Sequence, residues 1–442
     1  MGKKISILDA LFVGILLVIF GGVVLHAPIS VGLSSLLPQH DLLIKSWKEV
    51  LLGVALVLAI IILTWRKQWP LIQTKIIYLI ALFAALNLLL IPAYNTGFEA
   101  TVAGLFINLR YFLFFVLVYV AIKLYPQAYR LFFITFIAGA LVVTVFAILQ
   151  VTILPNDILK YLGYGDSTIA PYLTVDQNIN YIRINSTLRG PNPLGIYAVI
   201  VLSVMLVAWL RGPRKMTDRE QVIAGILAAG SIVALWASYS RSAALAALVA
   251  VGIVLLVVYG RRISKPILIS MAVVAIALTG SLIALRDTQF VSQVILHEDP
   301  SEGNEVNSNE GHAESLKDGT TRMLRQPIGA GVGSTGSASL LSNSPVIIEN
   351  QYLFVAHENG WIGLTLFLMI SYYVLIGLWR RRIEWLALAV FASGIGIMIA
   401  GLFLPVWADD TVAIIWWGLA AMVLAAPVVQ SKKKANKKVA KK

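Results

Sequence analysis

Residues 221–259 read QVIAGILAAGSIVALWASYSRSAALAALVAVGIVLLVVY, which is two apolar runs separated by little more than Ser-Tyr-Ser-Arg. Each run, 221–238 and 242–259, is long enough to cross a bilayer core of about 30 Å as a helix. Backbone polar groups must be paired within lipid, and a helix pairs them all. The stretch therefore predicts a tight hairpin of two membrane helices, with Arg241 at its tip.

The same apolar character continues along the rest of the chain. Of its 442 residues, 59% are hydrophobic and 13% are charged, whereas soluble domains average about 45–50% apolar and about 25% charged residues. We therefore predict an all-α polytopic membrane protein with about twelve spans. The candidate segments lie near 6–26, 49–65, 76–94, 103–122, 131–154, 193–210, 221–238, 242–259, 266–285, 354–378, 384–404 and 410–428.

Lysine and arginine are unevenly distributed between the loops. The two termini and every second loop hold 24 of the 35 basic residues, and cytoplasmic loops are the ones that carry such an excess. Both termini are therefore predicted to be cytoplasmic, and the two long loops, 155–192 and 286–353, to face outward. Residues 1–430 would form a single transmembrane domain, followed by a basic cytoplasmic tail at 431–442 that is attracted to anionic membrane lipid.

The charge and the cysteine content exclude several classes of function. The net charge of +13 does not indicate a nucleic-acid partner, because the basic residues lie between apolar runs and not on a compact basic module. The chain has no cysteine, which excludes disulfides, thiolate metal sites and cysteine catalysis.

Four arginines in or beside apolar segments are candidate ligands for an anion. A charge at the bilayer centre costs at least about 2.5–3.5 kcal/mol on insertion scales, which makes Arg110 a functional candidate. Arg241, Arg183 and Arg189 lie on the predicted outward side, where a guanidinium can bind phosphate through paired hydrogen bonds. The alternatives are an ion pair between helices for Arg110 and ordinary interfacial or loop charges for the other three.

The second outward loop contains a glycine-rich run. Its residues 331–336 match GxGxxG, but no strand precedes them and the loop faces outward, so a dinucleotide site is excluded. We expect a flexible turn in which the N–H groups of Gly331 and Gly333 approach an anionic ligand. His312 and Glu314 are not spaced to share a helix face, so we expect no metal site.

Acidic residues and a histidine accumulate where this loop meets the tenth segment. Glu349 and Asn350 precede it, and His357 and Glu358 follow about two turns later. A carboxylate at a helix start is favoured by the helix dipole, but capping alone does not require this many ionisable groups. We interpret the group as a possible general base, with desolvation expected to raise the carboxylate pKa.

Three motifs in this order resemble the O-antigen ligase and surface polysaccharide polymerase superfamily of bacterial membrane proteins. The first is RxxxTLRGPNPLG at 183–195, and the second is SxSR followed by small residues at 238–244. The third, at 311–367, is GHxxSxxxGxxxxxxxPxGxGxGSxG followed by ENxYLxxxxExGxxGLxxF. The similarity covers roughly residues 100–405.

The resemblance implies a GT-C-like glycosyltransferase that needs no metal or other cofactor and acts on the outer face of the bacterial cytoplasmic membrane. Its donor would be a glycan on undecaprenyl diphosphate, its acceptor a glycan or glycolipid, and the loop between helices 9 and 10 would be partly helical. Arg241 and Arg325 or Arg322 would bind the diphosphate, with Arg189 a weaker candidate, and a residue near the start of the third helix from the end would be the base.

This chain departs from the ligase pattern at the base. The ligase motif resembles His-[Asn/Ser/Gln]-x9-Gly-x-x-Gly, but here Glu349 stands in the histidine position, which favours a polymerase over a lipid A ligase. His312 or His357 is an alternative base. A transporter or flippase of lipid-linked sugars and a non-catalytic scaffold are the other functions considered, although transporters usually show repeat symmetry and helices broken near the midplane.

Overall fold

The computed structural model describes residues 6–175, 178–212, 216–260, 288 and 308–427. The segment predicted at 266–285 and the tail at 431–442 lie outside the described residues. The helices, in chain order, are α1 Ile7–Gly22, α2 His26–Leu36, α3 Asp41–Lys45, α4 Trp47–Trp65, α5 Lys75–Leu90, α6 Phe98–Leu124, α7 Ala128–Thr152, α8 Pro191–Arg211, α9 Asp218–Ala237, α10 Arg241–Tyr259, α11 Ser308–Arg325, α12 Gly336–Ser339, α13 Gln351–Arg380, α14 Trp385–Ala400 and α15 Asp410–Ala425. The strands are β1 Leu173–Val175 and β2 Asn178–Arg183.

Apolar helices long enough to cross a membrane dominate this architecture. The described residues contain nine of them, and α14 and α15 are shorter apolar helices. The all-α polytopic class is therefore confirmed. The first span is longer than predicted, because α1 and α2 are joined by a 3₁₀ turn into one apolar rod, Ile7–Leu36.

The centre of the bundle lies where α15 packs against α6. Trp417 of α15 is buried and meets the ring of Phe112 at 4.9 Å. Gly418 allows α15 to approach α6, since a Cβ there would lie 2.9 Å from the Phe114 ring of α6. Small residues permit such close helix packing inside membranes, so even a short helix is held by protein on all sides.

The tight turn predicted between α9 and α10 is present, but the two helices do not pack along each other. Instead, α9 packs on α7 and α8, and α10 packs on α8 and α14. The start of α8 fills the space between them: a Cβ on Gly195 would lie 2.7 Å from Ala243 Cβ and 2.8 Å from Ser238 Oγ. The predicted helical hairpin is thus wrong in its packing, because α8 separates its two helices.

The first long loop is fastened to this turn. β1 and β2 form an antiparallel pair in which Leu173 faces Arg183. Directly after β2, the Ile184 N–H donates to the Ala237 carbonyl at 3.1 Å. The β1–β2 hairpin therefore ends against the turn between α9 and α10, which carries Arg241.

Candidate active site

A histidine and a carboxylate meet beside the start of α13. His312 Nδ1, on α11, lies 2.5 Å from Glu349 Oε2. The Glu349 N–H also donates to Ser315 Oγ at 3.0 Å, which fixes the backbone between the two helices. Because a carboxylate only accepts hydrogen bonds, Nδ1 is the donor in this contact, and in the neutral imidazole Nε2 then has its lone pair available. A histidine oriented in this way by a carboxylate can act as a general base.

The pKa of Glu349 differs from the sequence-based expectation. The hydrogen bond from His312 lowers the pKa of the Glu349 carboxyl below its ordinary value of 4.5, and this effect exceeds the opposing effect of burial. For Glu349 the expectation of a raised pKa was wrong, because its partner on α11 is not indicated by the local sequence. A carboxylate with a lowered pKa is a weaker base, which favours His312 as the proton acceptor and Glu349 as the residue that orients it.

Because the pKa of Glu349 is lowered, the His312–Glu349 pair stabilises the folded protein only over a defined pH range. A carboxyl group whose pKa is lower in the folded protein adds stability above its unfolded pKa and loses it as pH falls through the folded value. We expect the wild type to unfold at a slightly higher temperature than Glu349→Gln near pH about 7, and the two proteins to converge below pH about 4. Thermal unfolding at both pH values measures this; a pH-independent difference would contradict it.

The glycine-rich loop packs against α13. The Gly331 N–H donates to the Glu358 carbonyl at 3.2 Å, and the Gly333 N–H donates to Glu358 Oε1 at 3.0 Å. Glu358 is fully buried, and Asn108 Nδ2 donates to its other carboxylate oxygen at 2.6 Å. The expected approach of the Gly331 and Gly333 amides to an anionic ligand was therefore wrong. The amides are used to hold the loop on Glu358.

Gly333 has a positive φ of 83°, and a Cβ there would lie 2.1 Å from the Ala100 carbonyl oxygen. Backbone strain of this kind costs about 1–3 kcal/mol. We expect Gly333→Ala to lower the free energy of unfolding by at least that amount. Gly53→Ala is the matched control, since nothing lies within 4 Å of a Cβ at that helical position. Equal denaturation midpoints for both variants would refute the structural role of Gly333.

Asn350 and His357, two further predicted site residues, are not part of the His312–Glu349 pair. Asn350 is the N-cap of α13, and its Oδ1 accepts from the Tyr352 and Leu353 N–H groups. His357 is buried inside α13, and its Nδ1 has no hydrogen-bond partner among the described residues. In the part of the chain that the structure describes, no hydrogen bond or ion pair joins His357 to His312 or Glu349.

Two of the predicted arginines lie together where the first long loop meets the α9–α10 turn. Arg183 Nε donates to the Ser238 carbonyl at 2.9 Å, and its Nη2 donates to Asn192 Oδ1 at 2.7 Å. Arg241 is the first residue of α10 and is exposed. A cation at a helix N-terminus opposes the helix dipole, so an anion bound there would be held by both the arginine and the N-terminal N–H groups.

Three more of the predicted arginines, Arg322, Arg325 and Arg189, differ in the number of protein partners that they contact. Arg322 Nε lies 2.6 Å from Asp318 Oδ2, one turn away on α11. Arg325 and Arg189 are exposed, and neither makes a hydrogen bond or ion pair with the residues that the structure describes. Arg325 is therefore the better placed of the α11 arginines to bind an external anion.

Arg110 belongs to a buried ionic cluster, which confirms that it contacts protein groups of neighbouring elements. Its Nη1 lies 3.4 Å from Glu49 Oε1, and its Nη2 donates to the Ala408 carbonyl at 2.5 Å. These contacts match the second interpretation given for Arg110, which is an ion pair between helices. They also tie α6 to α4 and to the loop before α15.

Sequence analysis missed the rest of this cluster. Lys48 Nζ lies 2.9 Å from Asp410 Oδ2 and 3.4 Å from Glu49 Oε2, and His26 Nε2 lies 3.3 Å from Asp410 Oδ2. A signal was present in the sequence, since these residues occupy segment ends assigned to the outward side. Lys48-Glu49 and Asp409-Asp410 both begin apolar segments on that side.

The loop at 401–409 is attached to the start of α13. Asn350 Nδ2, next to Glu349, donates to the Leu402 carbonyl at 2.8 Å. Through Asn350, one end of this loop is therefore fixed beside the His312–Glu349 pair.

Comparison with known families identifies the region that carries most of these groups. Residues 225–368 match the family model described as O-antigen ligase. This stretch is similar to the O-antigen ligase family. The match supports the superfamily predicted from the three motifs. The matched part spans Arg241, α11, the glycine-rich loop and the first half of α13, whereas Arg183, Arg189 and the ionic cluster lie outside it.

Similarity to this family indicates a role in glycan transfer at a membrane, within surface polysaccharide biosynthesis, with lipid-linked glycans as substrates. Comparison with curated proteins found no match.

Proposed function

We propose that this protein polymerises or transfers a glycan from undecaprenyl diphosphate at the outer face of the bacterial cytoplasmic membrane. In this proposal the chain crosses the membrane twelve times with both termini in the cytoplasm, and no metal takes part. The observation that carries the proposal is the His312–Glu349 pair inside the stretch similar to the O-antigen ligase family. Such a pair can activate a sugar hydroxyl.

The transfer step follows from these groups. His312 Nε2 takes the proton of the acceptor hydroxyl as the oxygen attacks the anomeric carbon of the donor sugar. The bond from that carbon to the diphosphate oxygen breaks on the opposite face, so the configuration inverts. Undecaprenyl diphosphate leaves with the electron pair, and its charge is stabilised by Arg241 and Arg325. Glu349 stabilises the imidazolium that forms.

We favour a polymerase over a lipid A ligase. Glu349 occupies the position at which the ligase pattern has histidine, and the histidine comes from α11 instead. Because the base is supplied by a different element, the acceptor would approach from a different direction. Incubation of the purified protein with a synthetic undecaprenyl-diphosphate oligosaccharide tests this. Lengthened glycans with released undecaprenyl diphosphate support polymerisation, and an unchanged donor contradicts it.

A flippase of lipid-linked sugars is the second candidate, and one observation favours it. The α13 helix is interrupted at Gly360, where φ is 65° and ψ is −169°, and broken helices are typical of transporters. The same assay separates the two functions. Movement of a labelled donor across proteoliposomes without diphosphate release would support transport and oppose the glycosyltransferase proposal.

Arg325→Ala is expected to raise the KM for the donor about 10- to 100-fold, because a charge-assisted hydrogen bond contributes about 1.5–3 kcal/mol. Arg325→Lys should recover only part of the loss, since lysine lacks the planar fork of arginine. Exposed Arg130 gives the control variant Arg130→Ala. Donor titrations of the four proteins measure this, and an unchanged KM in Arg325→Ala would remove Arg325 from the diphosphate site.

A further inference from the structure

Four large apolar side chains remain exposed where the end of α11 meets α13. Leu324 is 62% exposed, Ile328 67%, Trp361 49% and Ile362 66%. They form one edge because the segments that carry them are in contact. Trp361 Nε1 donates to the Met323 carbonyl at 2.8 Å, and the backbone N–H of Trp361 donates to the Pro327 carbonyl at 2.9 Å. We call Leu324, Ile328, Trp361 and Ile362 the apolar edge.

The length of α13 indicates the depth at which the apolar edge lies relative to the membrane. After the interruption at Gly360, the helix runs from Trp361 to Arg380. Twenty residues of helix rise about 30 Å, which equals the thickness of the hydrocarbon core. Arg380 begins a run of three arginines that marks one border, so Trp361 lies at the other. Tryptophan is enriched at this border.

In water this edge would be costly. Burying one large apolar side chain is worth about 1.5–3 kcal/mol, and soluble surfaces rarely leave such side chains contiguous and exposed. Trp361 and Ile362 belong to a membrane-spanning helix, and Leu324 and Ile328 continue the same surface. Lipid therefore fits the whole edge.

We propose that the end of α11 and the turn after it are seated in the outer leaflet, with Leu324 and Ile328 in contact with acyl chains. Arg325 lies between these two residues and so stands at the level of the lipid headgroups. This consequence for Arg325 rests on the proposed function: a diphosphate carried by a lipid reaches Arg325 by moving within the leaflet, without leaving its plane.

The absence of native cysteine allows single spin labels to test the seating. Cysteines are placed at Leu324 and Ile328, at Glu314 as the exposed polar control on the same helix, and at Leu82 as the lipid-facing control on α5. Glu314 is exposed and Leu82 is 56% exposed, so all four labels start from accessible positions. The measured quantity is the collision rate of each spin label with oxygen and with a water-soluble nickel chelate. The protein is reconstituted in phosphatidylglycerol–phosphatidylethanolamine vesicles.

Labels at Leu324 and Ile328 are expected at a depth between those of the two controls, with oxygen favoured over nickel. Values equal to those at Glu314 would overturn the proposal, because the edge would then be in water. Low accessibility to both reagents would also overturn it, since a protein partner and not lipid would cover the edge. The labels need no catalysis, so this outcome is independent of the proposed function.

A kinetic variant tests the consequence for the donor. Leu324→Ser with Ile328→Ser is expected to raise the KM for the lipid-linked donor about tenfold and to leave kcat unchanged, because His312 and Glu349 are not altered. A fall in kcat at constant KM would contradict the positioning of Arg325 by the edge. A water-soluble donor analogue with a short prenyl chain should show no difference between the variant and the wild type.

Discussion

Replacing His312 by alanine is expected to lower the rate of glycan transfer about 10²- to 10⁴-fold, which is the usual contribution of a general base. The donor KM should change little, because the imidazole acts on the acceptor hydroxyl and not on the diphosphate. The measurement is the rate of undecaprenyl diphosphate release by purified protein at saturating donor. Loss of the base should also appear in cells as loss of long-chain surface polysaccharide.

Variants of Glu349 distinguish the base from the residue that orients it. If His312 is the base, Glu349→Gln reduces the rate less than His312→Ala, and Glu349→Asp recovers part of the loss by restoring a carboxylate. The reverse order, with Glu349→Gln the more damaging change, would make Glu349 the base. Full activity in both His312→Ala and Glu349→Gln would exclude the pair from catalysis.

Much of the fold could be predicted because the bilayer limits what an apolar segment can do. A run such as 242–259 has to pair its backbone internally, which makes it a helix whatever its neighbours are. The neighbours themselves could not be predicted. Apolar faces meet lipid and other helices with similar energy, so nothing in the sequence of α9 shows that it packs on α7 and α8 and not along α10.

The sequence pointed to individual candidate residues of the site, but it did not predict their contacts. Arg241 and Glu349 stood out as charged residues beside apolar runs. The pairing of His312 with Glu349 depends on α11 folding back onto the start of α13, which local sequence does not specify. The prediction that the glycine-rich loop binds an anionic ligand was wrong for a related reason. Its glycines suggested accessible amides, whereas Glu358 is the group that those amides bind.

The buried ionic cluster leads to the second large expected effect, a loss of stability in Lys48→Met. Lys48 is 4% exposed and contacts both Asp410 and Glu49. Removing one partner of a buried ion pair costs about 3–5 kcal/mol, because the remaining charge is left without compensation. We expect a loss of this size in the free energy of unfolding, measured by denaturant titration in detergent.

Lys45 provides the matched control, since it forms an exposed ion pair with Asp41 at 2.8 Å. Exposed pairs contribute about 0–1 kcal/mol, so Lys45→Met should be nearly neutral. The double variant Lys48→Met with Asp410→Asn should recover much of the stability, because it removes the uncompensated carboxylate. If Lys48→Met were as stable as Lys45→Met, or if the double variant were no better than the single one, the cluster would not hold α4 against α15. Arg110 would then lack the support for its hydrogen bond to the Ala408 carbonyl in the 401–409 loop.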